Sequence, residues 1–231
     1  MKTYGKQIGN MKAFRRTIAF AFTFMIAFMS FGWTAAEATV KHLDVEQEAT
    51  EFGMRYVLTI DGSVLKWDQT VSSAARFCEN TGIPMEHIDQ DENRDALYWG
   101  ENELFLFDSI AVNSGFYLRR AAKTTDLIGI ELDLVQAQED ETEKVVQSAQ
   151  DAYQVLKSRL GPPTGSIRIY HANGRNEAGT DDISKAITEK LVPLTKTEDF
   201  AFICVEFDNL DLHIAWHGEF YIVGISLTSY V

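Results

Sequence analysis

The sequence predicts an α+β fold: two similar units, each a helix followed by an antiparallel sheet, behind an N-terminal export leader. Three observations predict it. Apolar residues alternate along 199–227 with the period of two of half-buried strands. Along 140–160 they recur at helical spacing. The order helix, glycine–proline stop, strands occurs twice.

The leader comes first. Lys2, Lys6, Lys12, Arg15 and Arg16 form a basic head, and an apolar run follows over 18–33. Ala36-Glu37-Ala38 then puts small residues at the two positions a signal peptidase reads. Met11 is an alternative start that gives a more ordinary signal length. The apolar run is short for a membrane span of about 20 residues, so cleavage is expected rather than anchoring. The expected division is a leader over 1–38, a first unit over 39–136 and a second over 137–231. Removing the leader leaves 16 basic against 33 acidic residues, a formal charge of −17. Such a chain repels nucleic acid and anionic membrane surfaces and favours cations or a partner with a basic surface. An exported, periplasmic or secreted, acidic protein is the destination these features imply.

Residues 39–51 are polar and acidic and read as a frayed helix or a tail. Residues 54–60 alternate as a strand, Asp61-Gly62 turns it, and 63–67 return. Thr70 is placed to cap a helix over 71–80, which stops at Gly82 with Pro84 just beyond. Residues 85–100 read as irregular and acidic. A strand over 104–112, a turn at Asn113-Ser114-Gly115, a strand over 116–120 and another over 127–134 complete the first unit. The longest helix covers 140–160, with Val145, Ala149, Ala152, Val155, Leu156 and Leu160 on its buried face; Gly161-Pro162-Pro163 ends it. A strand over 166–170, a Gly- and Asn-rich loop over 171–182 and a short helix over 183–191, stopped before Pro193, lead into the closing strands.

The register of those closing strands follows from alternation. A turn at Asp208-Asn209 pairs Phe207 with Leu210, Val205 with Leu212 and Ile203 with Ile214. A turn at His217-Gly218 pairs Ile214 with Tyr221, Leu212 with Val223 and Leu210 with Ile225. One face is then wholly apolar. The other carries Phe202, Cys204, Glu206, Asp211, His213, Ala215, Ile222, Gly224 and Ser226, a mixed set that is partly covered at most.

The repeat is carried by short matches. The stops are Thr81-Gly82-Ile83-Pro84 and Leu160-Gly161-Pro162-Pro163. The last strands read Leu127-Ile128-Gly129-Ile130-Glu131-Leu132 and Ile222-Val223-Gly224-Ile225-Ser226-Leu227. Phe107-Asp108 and Phe207-Asp208 precede the final hairpins. Gly129 is expected to fall on Gly224. In outline this layout resembles the tandem helix-plus-sheet modules of secreted β-lactamase-inhibitor proteins, and is similar to small envelope-assembly modules with a helix before a sheet. Only the order of elements matches, so no site residue is carried over.

No phosphate-binding loop, dinucleotide fingerprint, zinc-protease helix or nucleophile elbow occurs, and no cofactor is implied. Asp89, Asp91, Asn93 and Asp95 alternate like half of a calcium loop. Arg94 then sits where the tight turn wants glycine, and Gly100 where a bidentate glutamate belongs; a solvated acidic loop is the plainer reading. His213 and His217 lie about 13 Å apart along a straight strand and cannot share a metal. Cys204 opposite His213, with Glu206 and Asp211 beside them, is the raw material of a thiol nucleophile, against a plainer packing role. Export permits a Cys78–Cys204 disulfide. The loop over 171–177 is the main insertion of the second unit and a place where binding residues gather. The reading that results is a non-catalytic binding or protein-interaction role. The rivals are a small periplasmic enzyme using Cys204 and His213, and an envelope structural protein.

Overall fold

Residues expected to fray or trail instead build the centre of a sheet. Leu43 and Val45 alternate with Asp44 and Glu46 and are buried, and the strand they form is held on both sides. The computed structural model describes residues 39–51, 53–87, 94–98, 103–113, 115–120 and 125–229; the expected leader lies outside them. The chain opens with strands β1 (Val40–Thr50), β2 (Gly53–Ile60) and β3 (Ser63–Leu65), then helix α1 (Val71–Asn80). Strands β4 (Glu86–His87), β5 (Arg94–Tyr98), β6 (Glu103–Leu106), β7 (Ile110–Val112), β8 (Gly115–Arg120) and β9 (Leu127–Gln138) follow. Helix α2 (Thr142–Leu160), strands β10 (Arg168–His171) and β11 (Asn176–Ala178), and the short helix α3 (Ile183–Lys185) come next. A π-helical turn (Ala186–Leu191) then leads into the short helix α4 (Val192–Leu194). Strands β12 (Ala201–Phe207), β13 (Leu210–Trp216) and β14 (Phe220–Thr228) close the chain.

The strands form two sheets, and the fold is α+β. A five-stranded sheet has the order β3-β2-β1-β6-β7, with β1 and β6 parallel. A nine-stranded antiparallel sheet has the order β11-β10-β12-β13-β14-β9-β8-β5-β4. Helix α1 begins at the predicted cap: the Ser73 N–H donates to Thr70 Oγ1 at 3.3 Å. It ends where Gly82 takes a φ of 86°, and it packs on β8 and β5. Helix α2 buries Val145, Ala149, Ala152 and Leu156 against β9, β13 and β14. One contiguous core joins both sheets and both helices. Among the described residues no helix is long and apolar enough to cross a membrane.

Several expectations change. The strand over 104–112 is the hairpin β6–β7, turned by Phe107 and Asp108 with φ of 55° and 58°. Positive φ at both central residues matches the twist of a tight hairpin. This hairpin belongs to the five-stranded sheet, so Phe107-Asp108 and Phe207-Asp208 are not counterparts. Pro193 does not stop the last helix; it lies inside α4, just past the π-helical turn. The first C-terminal hairpin has the predicted register. The second is displaced by two residues: Ile214 pairs with Val223, Leu212 with Ile225 and Leu210 with Leu227. The turn causes this. Trp216 pairs with Tyr221, their rings 4.8 Å apart, and the His217 N–H donates to the Phe220 carbonyl at 3.0 Å. A displacement of two leaves every side chain on its face.

Candidate functional site

The apolar face of β12, β13 and β14 lies against the core, and the mixed face is its outer side. Near the junction of β9 and β14 that outer face sinks into a cleft of about 400 Å³. Phe202, Ala215 and Ile222 supply its apolar wall; Arg119, Glu131, Asp133, Asp211, His213 and Ser226 supply its polar lining. Arg119, Glu131 and Asp133 are residues that sequence reasoning missed. Their signal was present: Glu131 and Asp133 are charges at alternate positions inside an apolar strand, which puts both on one face.

Glycine shapes the floor. His213, Gly224 and Asp133 stand in one row across β13, β14 and β9. A Cβ on Gly224 would meet His213 Nε2 at 2.5 Å and Asp133 Oδ1 at 3.2 Å. The imidazole and the carboxylate thus converge over the space the missing side chain leaves. His213 Nδ1 and Ser226 Oγ share a hydrogen bond of 3.0 Å. Beside them Arg119 Nη1 donates to Glu131 Oε1 at 3.1 Å. Glu131 is 8% exposed and Asp133 4%. Gly224→Leu is expected to cost about 1–3 kcal/mol by overpacking and to break the His213–Ser226 bond. Histidine side-chain NMR checks the second effect, and an unchanged His213 signal would refute it.

Cys204 stands opposite His213 and on the same face as Asp211 and Glu206, as the alternation predicts. Burial, then the charges of Asp211 and Glu206, push its thiol up to about 12, and its S–H donates to Asp211. A thiol held so high carries almost no thiolate at neutral pH, which is the opposite of nucleophile activation. Burial, then Glu206 directly across the ladder, lifts the Asp211 carboxyl to about 6 from 3.8. Between these values the folded state binds the proton more than the unfolded state does. Stability should therefore fall as pH rises from about 4 to about 6. In Asp211→Asn this part of the dependence should vanish, leaving a variant more stable than the parent at pH 7; melting curves across pH check it.

The expected Cys78–Cys204 disulfide is absent, and both residues are buried free thiols. Cys78 lies on α1 in the core, against β8 and β5. Cys204 lies on β12, four strand spacings from β8. At about 4.8 Å per spacing that is far beyond the reach of a bridge. His217 is in the turn after β13, its ring 5.6 Å from Phe220 and 5.2 Å from Phe200. Asp89, Asp91 and Asn93 lie outside the described residues, and Asp95 falls within β5. Among the described residues no three His, Cys, Asp or Glu side chains are grouped to hold a metal.

The loop over 171–177 is the β10–β11 hairpin. Arg175 Nη2 lies 3.3 Å from His171 Nε2 and can only donate, so Nδ1 carries the proton and donates to Glu198 at 2.8 Å. Glu198 also accepts from the Ala172 N–H. The bonds from His171 and Ala172 hold its carboxyl below the usual range. This cluster pins the hairpin and lines no part of the cleft.

Comparison with protein-family models, curated proteins and solved structures finds no match for this chain.

Proposed function

We propose that the chain is an exported, non-catalytic binding protein, made of two like helix-and-sheet units, which receives a partner with a basic surface in the cleft where the units meet. The cleft on the outer face of the nine-stranded sheet carries this reading. Binding sites gather at the junctions of structural units, as concave surfaces with a few convergent polar groups. The high-lying Cys204 thiol weighs against the rival Cys204–His213 enzyme.

The strand register supports the duplication. Helix α1 precedes the run β4-β5-β8-β9, and α2 precedes β10-β12-β13-β14, with β9 and β14 adjacent. Gly129 pairs with Thr228 and Gly224 with Asp133. If Gly129 matches Gly224, then Asp133 matches Thr228, so the two pairings exchange under a two-fold axis through the Glu131–Ser226 pair. The neighbouring strands obey the same exchange. Arg119 stands beside Gly129 and bonds Glu131; His213 stands beside Gly224 and bonds Ser226. The cleft floor sits on this axis.

Site-specific photo-crosslinking in the source cells tests the reading. A crosslinker at Phe202 or Ile222 should give a discrete adduct, and one at Gln147 on α2 should not. The recovered protein should begin near Thr39. Equal adducts from both faces, or none from the cleft, would overturn the binding role; recovery of membrane-held protein starting at Met1 or Met11 would overturn export.

A further inference from the structure

We infer that His171 is a pH-sensitive latch on the β10–β11 hairpin: the neutral ring holds the Arg175 guanidinium, and the protonated ring releases it while keeping Glu198. The strand places the ring. Along β10, Ile169 and His171 are buried while Arg168 and Tyr170 face outward, so the His171 side chain enters the protein at the strand's end. Each ring nitrogen there has one partner. Nδ1 lies 2.8 Å from Glu198 Oε1, and Nε2 lies 3.3 Å from Arg175 Nη2. A guanidinium only donates and an ionised carboxylate only accepts. The bonds from His171 and Ala172 hold the Glu198 carboxyl below the usual range, so it stays ionised. The resting ring is therefore neutral, with its proton on Nδ1.

A second proton can go only to Nε2, the nitrogen that accepts from Arg175. Two N–H donors and two positive charges would then face each other at 3.3 Å, a repulsive contact. On the other side, the same proton turns the bond to Glu198 into an ion pair. Repulsion on one side and attraction on the other both favour letting Arg175 go. Charges elsewhere do not intervene. Beside β10 pack β11, β12 and the π-helical turn. Opposite His171 on β12 stands Ala201. Glu177 on β11 and Lys190 on the π-helical turn pair with each other at 3.8 Å. Arg175 itself is exposed, so its side chain can leave without opening the core. The turn keeps the bonds from the Ala172 N–H to Glu198, from the Gly174 N–H to the His171 carbonyl and from the Arg175 N–H to Asn173 Oδ1. Release thus frees a guanidinium at the edge of the nine-stranded sheet, where β11 has only β10 beside it. The latch does not depend on what the cleft binds.

Nitrogen NMR of the histidine rings and arginine side chains tests this from about pH 8 to about pH 5, the range in which histidine changes charge. At the upper end His171 should show a protonated Nδ1 and a bare Nε2. As the ring takes its second proton, the Arg175 Nε–H signal and the amides of 172–176 should shift in the same transition, while the amides of α2 stay in place. Arg175→Gln is the decisive variant. Its amide can donate to the neutral ring and, turned over, accept from the protonated one, so the turn amides should lose their response although His171 still titrates. A proton on Nε2 at the upper end, a ring that takes no second proton, an Arg175 signal that ignores the transition, or an undiminished response in Arg175→Gln would each overturn the latch.

Discussion

Leu212→Ala should cost about 2–5 kcal/mol of folding stability, the range for deleting a fully buried leucine side chain. Leu212 sits in β13 between Val205 on β12 and Ile225 on β14, with no exposed surface, on the face that α2 packs against. Truncation removes its burial and leaves a cavity that the central strands of a nine-stranded sheet cannot close by moving together. The adjacent residue is the control. Asp211 points to the outer face beside Glu206 and Cys204, where its ionised form is disfavoured. Asp211→Ala should cost little, since it removes a carboxylate whose charge is disfavoured there. Urea unfolding of the two variants against the parent measures the difference. Similar losses at both positions would show that the faces of β13 are wrongly assigned.

Much of this arrangement was legible because strand alternation is a strong signal where one face is buried. The faces of β12, β13 and β14 could be read residue by residue, and so could the pairing at Asp208-Asn209. The next register was not, because a longer turn around Gly218 changes pairing without changing faces. Strand β1 was missed for a different reason. Only Leu43 and Val45 mark its buried face among many polar residues, and half of its pairing comes from β6, which lies far along the chain. The β6–β7 hairpin was hidden by a three-residue turn, Phe107-Asp108-Ser109, without glycine. For the cleft, Cys204, His213 and Asp211 could be grouped from one hairpin. Arg119, Glu131 and Asp133 could not be added, because that grouping depends on β9 pairing with β14 across the two halves of the chain. The row His213-Gly224-Asp133 exists only once that pairing is made.

Asn209→Ala should be nearly as damaging as the core truncation, at a position that reads in sequence as half of an ordinary turn. Asn209 is buried, and its side-chain amide bridges the two sheets. The Tyr56 N–H donates to Asn209 Oδ1 at 2.7 Å; Asn209 Nδ2 donates to the Tyr56 carbonyl at 3.1 Å and to the Thr228 carbonyl at 2.8 Å. Strand β3 ends at Leu65, so it does not reach Tyr56, and the asparagine amide takes the place of a neighbouring strand there. Alanine leaves the Tyr56 N–H and the Thr228 carbonyl without these bonds. At about 1–3 kcal/mol for a buried group left unsatisfied, the Tyr56 N–H carries most of the loss and the half-buried Thr228 carbonyl adds less, for a total of roughly 2–4 kcal/mol. The Tyr56 carbonyl keeps a bond from Trp67 Nε1 at 3.1 Å, so its share should be smaller. Asn209→Asp separates hydrogen bonding from shape. It keeps the size and the acceptor but turns the donor toward two carbonyl oxygens into a carboxylate oxygen, so it should destabilise at least as much as alanine at pH 7. It should recover in part when acid protonates the carboxyl and restores a donor. Chemical unfolding at pH 7 and pH 4 measures both effects, and a stable Asn209→Asp protein at pH 7 would show that the amide does not hold the sheets together.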